Sequence, residues 1–275
     1  MTAATSTITA PARRGPGFGR LLLAEWTKLR SVQSTVWSLI LLVVLALGFT
    51  ALLTGLLAAT WDQAAPQDRA VIVADPTGMI LGSGFAFSQL TVCVLGVMVI
   101  ASEYSTGMIR ASLLAVPSRV PMLAAKALVF GVLILVLGVA VSFASFFIGA
   151  QLLGDKAPVA LGDPGVLRAI FGGGLYLAML GLFALAIGAL VRHTAAGITG
   201  VIGFVLVLAP LTQLLPGDIG KYVHAYLPSE AGHLIAQAHQ APNDVLTPWQ
   251  GFGVFSAWTA LLLVVAAILL NRRDA

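Results

Sequence analysis

Few residues in this sequence are placed to do chemistry, and their spacing argues against most reactions. His224, His233 and His239 stand near one another, nine and six residues apart. Two ligands on one helical face need a spacing of three or four, and no cysteine assists, so the pattern does not fit a metal site. Nothing else in the sequence supports a titrating role for these histidines. The single cysteine, Cys93, lies inside an apolar run and reads as a small packed hydrophobe. The chain has no Gly-x-x-x-x-Gly-Lys-Ser/Thr phosphate loop, no His-Glu-x-x-His pair and no Gly-x-Ser-x-Gly elbow. It therefore reads as no enzyme, and it does not hydrolyse nucleotide itself.

The remaining candidates are charged residues beside apolar runs. The stretch from Ala101 to Ala127 carries Glu103, Arg110, Arg119 and Lys126, with a short amphipathic segment before Pro117. If Met108 to Val116 is helical, Ile109, Leu113 and Val116 share a stripe and Arg110 faces away from it. Glu103 and Arg110 are seven apart, so a helix continuing through Gly107 places them on one face. The stretch reads either as a cytoplasmic element on which a soluble partner pushes or as an ordinary solvated loop. Glu25 stacks between Leu21 and Leu29 at spacing four, at the edge of an apolar stripe. A carboxylate facing lipid is costly, so Glu25 is expected to meet a loop cation or a partner subunit, or else Lys28 three residues on. Gln89, with Ser88 and Thr91, is the most central polar side chain of any apolar run. It reads as lining a substrate path or as making an interhelical hydrogen bond.

The elements that must position these residues follow from composition. Hydrophobic residues are 59% of the chain and charged residues 9%, against about half and about a quarter in soluble domains. Several apolar runs reach the roughly 20 residues a spanning helix needs. None alternates strictly, so an all-α integral membrane protein is expected rather than a barrel. Six spans are predicted, at about 36–59, 79–101, 127–153, 169–190, 195–215 and 251–270. Arg13, Arg14, Arg20, Lys28, Arg30, Arg110, Arg119, Lys126, Arg192, Arg272 and Arg273 then fall on one side, with only Arg69, Lys156, Arg168 and Lys221 on the other. The acidic residues reverse this bias. The positive-inside rule places both termini in the cytoplasm, in a multi-pass plasma-membrane topology. The basic pI is explained by this topology and calls for no nucleic acid.

Residues 1–17 have no apolar h-region and read as a disordered cytoplasmic tail rather than a signal peptide. Residues 18–275 form the transmembrane domain. In Phe18 to Arg30, Phe18, Leu22, Trp26 and Leu29 share a stripe with Arg20, Thr27 and Lys28 off it, as suits a helix lying at the membrane interface. Trp61 is a candidate outer anchor. Gly174, Gly181 and Gly188 repeat at spacing seven, with Ala184 four before Gly188. This is a packing seam, whose partner is another span of the chain or a second copy. Between the last two spans, Ile219 to Leu227 and Ala231 to Ala238 are expected to form short re-entrant or surface-lying helices. The middles of the spans hold no ionisable residue, which argues against an ion-coupled carrier.

Three segments carry a resemblance. Ala24-Glu25-Trp26-Thr27-Lys28-Leu29-Arg30 precedes the first span, Ser102-Glu103-Tyr104-Ser105-Thr106-Gly107-Met108-Ile109-Arg110 follows the second, and Leu190-Val191-Arg192-His193-Thr194-Ala195-Ala196 follows the fourth. From Arg20 onward the chain resembles the permease subunits of ABC-2-type exporters, of the actinobacterial kind. The Glu-Tyr-x-x-Gly element is the most specific piece. The resemblance implies a six-span exporter fold with an amphipathic N-terminal interface helix, a cytoplasmic coupling helix after span two, and short outer helices between spans five and six. It implies two permease copies, alike or different, docked on separately encoded cytoplasmic ABC ATPase subunits. ATP and magnesium would sit on those subunits and no cofactor on this chain. Glu25 would then belong to the interface helix, and Glu103, Tyr104, Gly107 and Arg110 to the coupling region. Readings of another class are a membrane-anchored sensor or scaffold without transport, and a secondary carrier.

Overall fold

The computed structural model describes residues 17–108, 119–212, 214, 216–241 and 244–272. Among them there are helices and no strands. Six helices are long and apolar enough to cross a membrane. With α1 (Phe18–Ser31) first, they are α2 (Gln33–Ala59), α4 (Pro76–Ser105), α5 (Arg119–Leu153), α6 (Val166–Val191), α7 (Thr194–Thr212) and α10 (Pro248–Arg272). Each runs close to its expected bounds, and α5 begins eight residues before the expected 127. A short α3 (Pro66–Ala74) follows α2. Between α7 and α10, α8 (Gly217–Ala225) and α9 (Pro228–His233) are the expected short helices, the latter continued by a 3-10 turn over Leu234–Ala236. The tail before Gly17 and the segment 109–118, with Arg110, lie outside the described residues.

The chain marks its helix ends locally. Pro76 occupies the first turn of α4, and Asp75 caps it by accepting the Gly78 N–H at 3.0 Å. Gly165 adopts φ +83° just before α6, and Arg192 takes φ +56° just after it, a left-handed stop that turns the chain at once into α7. At the far end of α4, Gly107 has φ +73° and α4 stops at Ser105. α4 therefore does not continue as one helix through Gly107, the condition under which Glu103 and Arg110 would share a face.

Two spans make the centre. The apolar window of α4 is 67% buried and that of α6 is 61%, against 22–33% for the other four. α4 and α6 pack on each other, α5 and α10 lie on α6, and α2 lies on α4 and α5. Lipid tails are as apolar as these side chains, so close packing and hydrogen bonds hold the spans together rather than exclusion of water. The glycine seam supplies the close approach, and its partners lie within this chain. A methyl group at Gly96 of α4 would stand 2.5 Å from the Gly181 carbonyl oxygen and 2.8 Å from Ala184 Cβ of α6. One at Gly188 would stand 3.1 Å from Val97 Cα. Several polar side chains in the spans are satisfied internally, although the Thr77 and Ser142 hydroxyls are buried without a partner. Ser88 donates to the Gly84 carbonyl at 2.7 Å, Thr259 to that of Phe255 at 3.0 Å, and Thr50 to Ser145 across α2 and α5 at 3.2 Å.

The end opposite α1 is closed by the segment between α7 and α10. Asp75 accepts the Ala238 N–H at 3.3 Å while Arg168 donates to the Ala238 carbonyl at 2.9 Å, so one residue of that segment is pinned to the starts of both central spans. The three histidines part company here. His233 is packed edge-on against Tyr176 and Phe85, and burial holds its ring below the ordinary imidazole range despite Glu230 and Asp75 nearby. His224 sits by Thr212 and Glu230, and His239 lies 3.9 Å from Asp75. Among the described residues no three His, Cys, Asp or Glu side chains converge on a metal position.

The seam yields a packing prediction. Gly96→Val is expected to cost about 1–3 kcal/mol by overpacking, read as a lower melting temperature in mild detergent. Gly48→Ala, where an added methyl meets nothing within 4 Å, is expected to leave melting unchanged. Equal melting of the two variants contradicts the seam.

Candidate functional site

At the end of the bundle that carries α1, four charged side chains from three helices meet. The helix α1 turns Leu21, Glu25 and Leu29 onto the bundle. Phe18 and Trp26, on the stripe expected to lie at the membrane interface, remain exposed. The buried face is therefore the spacing-four stack that carries the carboxylate, with Leu21 packed beside Ala125 of α5. Glu103 lies in the last turn of α4, and Lys126 in the third turn of α5.

Lys126 Nζ stands 2.6 Å from Glu25 Oε2 and 2.9 Å from Glu103 Oε1. Lys28 Nζ stands 2.8 Å from Glu25 Oε1 and 3.0 Å from Glu103 Oε1. Both carboxylate side chains are nearly out of solvent, at 6% and 7% exposure, and Lys126 is at 3%. Two anions and two cations sum to zero. Neutrality is what makes such burial tolerable, since an unpaired charge there costs several kcal/mol. Both readings of Glu25 hold together: it pairs with Lys28 within its helix and with a cation beyond it. Burial pushes the Glu25 carboxyl up, but the charges and hydrogen bonds of Lys126 and Lys28 outweigh it and hold the group below its ordinary value of 4.5. Burial likewise opposes the charge on Lys28, yet the two carboxylates hold it above 10.5.

The neighbouring candidates support the same corner. Tyr104 follows Glu103, and the Arg192 guanidinium lies 5.0 Å over its ring, joining the end of α4 to the start of α7. Arg119 donates to the Leu270 carbonyl at 2.7 Å, joining the start of α5 to the end of α10. Gly107 forms the left-handed turn beyond α4. Gln89 stands apart from this corner. Its carbonyl oxygen accepts from Tyr176 at 2.9 Å, so it makes the interhelical bond between α4 and α6.

Lys126 was not singled out by the sequence reading, although a signal was there. Its neighbours at spacing three and four, Met122, Leu123, Val129 and Phe130, are all apolar. A lysine with no polar neighbour on its own helix face must find its counter-charge on another element.

Fold and site together define a multi-pass helical membrane protein whose first helix is tied by charge to the junction of two spans. No protein-family model matches the chain, and no curated protein matches it.

The cluster sets a stability prediction. Lys126→Met leaves two buried carboxylates with one cation and is expected to cost about 3–5 kcal/mol. The readout is melting in mild detergent near neutral pH, and wild-type melting contradicts the cluster. In the native protein Glu25 ionises more readily than in the unfolded chain. Its contribution is therefore complete above 4.5 and is lost as pH falls through the lower folded value. That of Lys28 is complete below 10.5 and is lost as pH rises through the higher folded value. The deficit of Lys126→Met is expected to shrink on acidification, as the uncompensated carboxylate takes up a proton.

Proposed function

We propose that this chain is the membrane subunit of an ATP-driven exporter of the ABC-2 type, working in the plasma membrane with both termini in the cytoplasm. A separate ABC ATPase would bind and hydrolyse ATP with magnesium, and a second permease copy would complete the membrane unit. The three segments that carry the resemblance support this reading. So does the lack of any nucleotide motif in the chain, which leaves it needing an outside motor.

The observation that carries the reading is the ion cluster. In the proposed assembly, α1 is the interface helix and the chain after α4 is the coupling region. Glu25, Lys28, Glu103 and Lys126 bind those two elements to each other and to the start of α5. A load applied to either would reach α4, the most buried span, through contacts too short and too dry to slip. Tyr104 under Arg192 would extend the same load to α7. Closure of the ATPases on binding ATP would then be felt as movement of spans rather than as bending of a loop.

The test is co-purification of the tagged protein from native membranes in mild detergent. The expected result is a stoichiometric soluble ATPase, with Glu25→Gln lowering its yield while the spans remain inserted. If the protein comes down alone, or with partners that are not ATPases, across several detergents, the exporter reading fails.

A further inference from the structure

Between α1, the first turns of α2 and the last turns of α4 lies a cavity of about 730 Å³. That size suits an organic ligand, for which pockets run roughly 300–1,000 Å³. Its lining changes along the spans. Leu95, Met98 and Val99 line it from the deeper part of α4, and Ser102 and Thr106 continue that helix toward the end that carries α1. Ser34, Thr35 and Ser38 line it from the first two turns of α2. Hydroxyls therefore gather at the charged end of the space and apolar side chains at the other, the order in which a lipid of that leaflet would lie.

The hydroxyls differ in what they have left to offer. Ser102 donates to the Met98 carbonyl at 2.6 Å, and Thr106 to that of Ser102 at 2.8 Å. Their hydrogens are spent, and their oxygens can still accept. Among the described residues no hydrogen bond engages the hydroxyls of Ser34, Thr35 and Ser38. Thr35 matters most, because the residue is only 7% exposed. The unbonded hydroxyls of Thr77, Ser142 and Ser229 are sealed from water, whereas that of Thr35 is not. A buried O–H that lines a cavity and lacks an acceptor favours a ligand that brings one.

The charges beside the space decide which head group it admits. Glu25, Lys28, Glu103 and Lys126 all border it, and they already sum to zero. A cationic head would add a third positive charge and an anionic head a third negative one. Either would upset the neutrality that makes burial of the cluster tolerable.

We infer that this cavity binds an uncharged acylglycerol, its ester carbonyl accepting from Thr35, its free hydroxyl donating to Ser102 or Thr106, and its chain lying along Leu95, Met98 and Val99. A triacylglycerol has carbonyls and no O–H, and so meets only half of these groups. Binding requires neither nucleotide nor ATPase, so it stands apart from the exporter reading.

The experiment uses the full chain in phosphatidylcholine nanodiscs. A monoacylglycerol with a photo-activatable chain is compared with the same chain ending in a sulfate or a trimethylammonium group, and crosslinks are mapped by mass spectrometry. The monoacylglycerol is expected to label the Leu95–Val99 wall and to bind roughly tenfold more tightly than either charged analogue. Thr35→Val keeps the shape and breaks no side-chain bond of the folded protein. It is expected to weaken binding about three- to tenfold, the worth of one hydrogen bond. Val99→Trp fills the apolar end of the cavity and is expected to abolish the labelling. Competition by unlabelled diacylglycerol identifies a two-chained bilayer lipid as occupant, and competition by monoacylglycerol alone identifies a single-chained one. Equal binding of charged and uncharged heads, labelling elsewhere, or labelling that survives Val99→Trp overturns the inference. So does wild-type affinity in Thr35→Val, which would mean that water satisfies that hydroxyl. Because the head-group comparison is made on the unaltered protein, it does not depend on how either variant folds.

Discussion

The architecture depends on keeping a handful of buried charges neutral. Glu25, Glu103 and Lys126 are almost wholly withdrawn from water, and none would be tolerated there alone. Each comes from a different helix. The requirement that they meet therefore fixes how α1, α4 and α5 are placed at one end of the bundle. Lys28 completes the balance from the solvent side, at 30% exposure. Hydrophobic contact alone would leave α1 free to slide along an apolar surface, because Leu21 and Leu29 have many equivalent partners in such a chain. Glu25 has only Lys28 and Lys126 to pair with at this corner.

The rest of the fold is what this constraint acts upon. α4 and α6 touch along glycine and alanine, so they behave as a single body with little room for adjustment. Asp75 and Arg168 fasten the opposite end of that body to the segment between α7 and α10. A displacement imposed at the charged corner would therefore reach the far end through packed helices rather than through loops. Two groups of the same corner, Glu103 Oε2 and the Tyr104 hydroxyl, are buried without a hydrogen-bond partner.

Much of this was legible in the sequence. Length and apolarity alone locate six spans, because a spanning helix must satisfy its backbone internally over a fixed thickness. The spacing of Gly174, Gly181 and Gly188 announces a close packing seam, though only the folded chain shows that Gly96 and Val97 of α4 lie across it. Glu25 declares itself by standing where no carboxylate should stand without a partner. Its partner was harder to read, since Lys126 lies about a hundred residues away and pairing at that range leaves no periodic trace. Phe18 and Trp26, read as lying at the membrane interface, stay exposed on the side of α1 away from the bundle, where an aromatic face costs nothing beside lipid. The spacing of Glu103 and Arg110 leaves open whether a helix continues through Gly107; its left-handed conformation follows the end of α4 at Ser105.

The central claim is that charge pairing, more than apolar contact, fastens α1 to the bundle. Leu21→Cys, made with Cys93→Ala, puts a thiol on the face of α1 that packs beside Ala125. Its reaction with a membrane-impermeant maleimide in open membrane fragments reports directly whether α1 is seated. The account predicts slow labelling when the cluster is whole and fast labelling once Lys126→Met is added. Equal rates with and without Lys126 would mean that α1 stays docked without its charges, and would contradict the account.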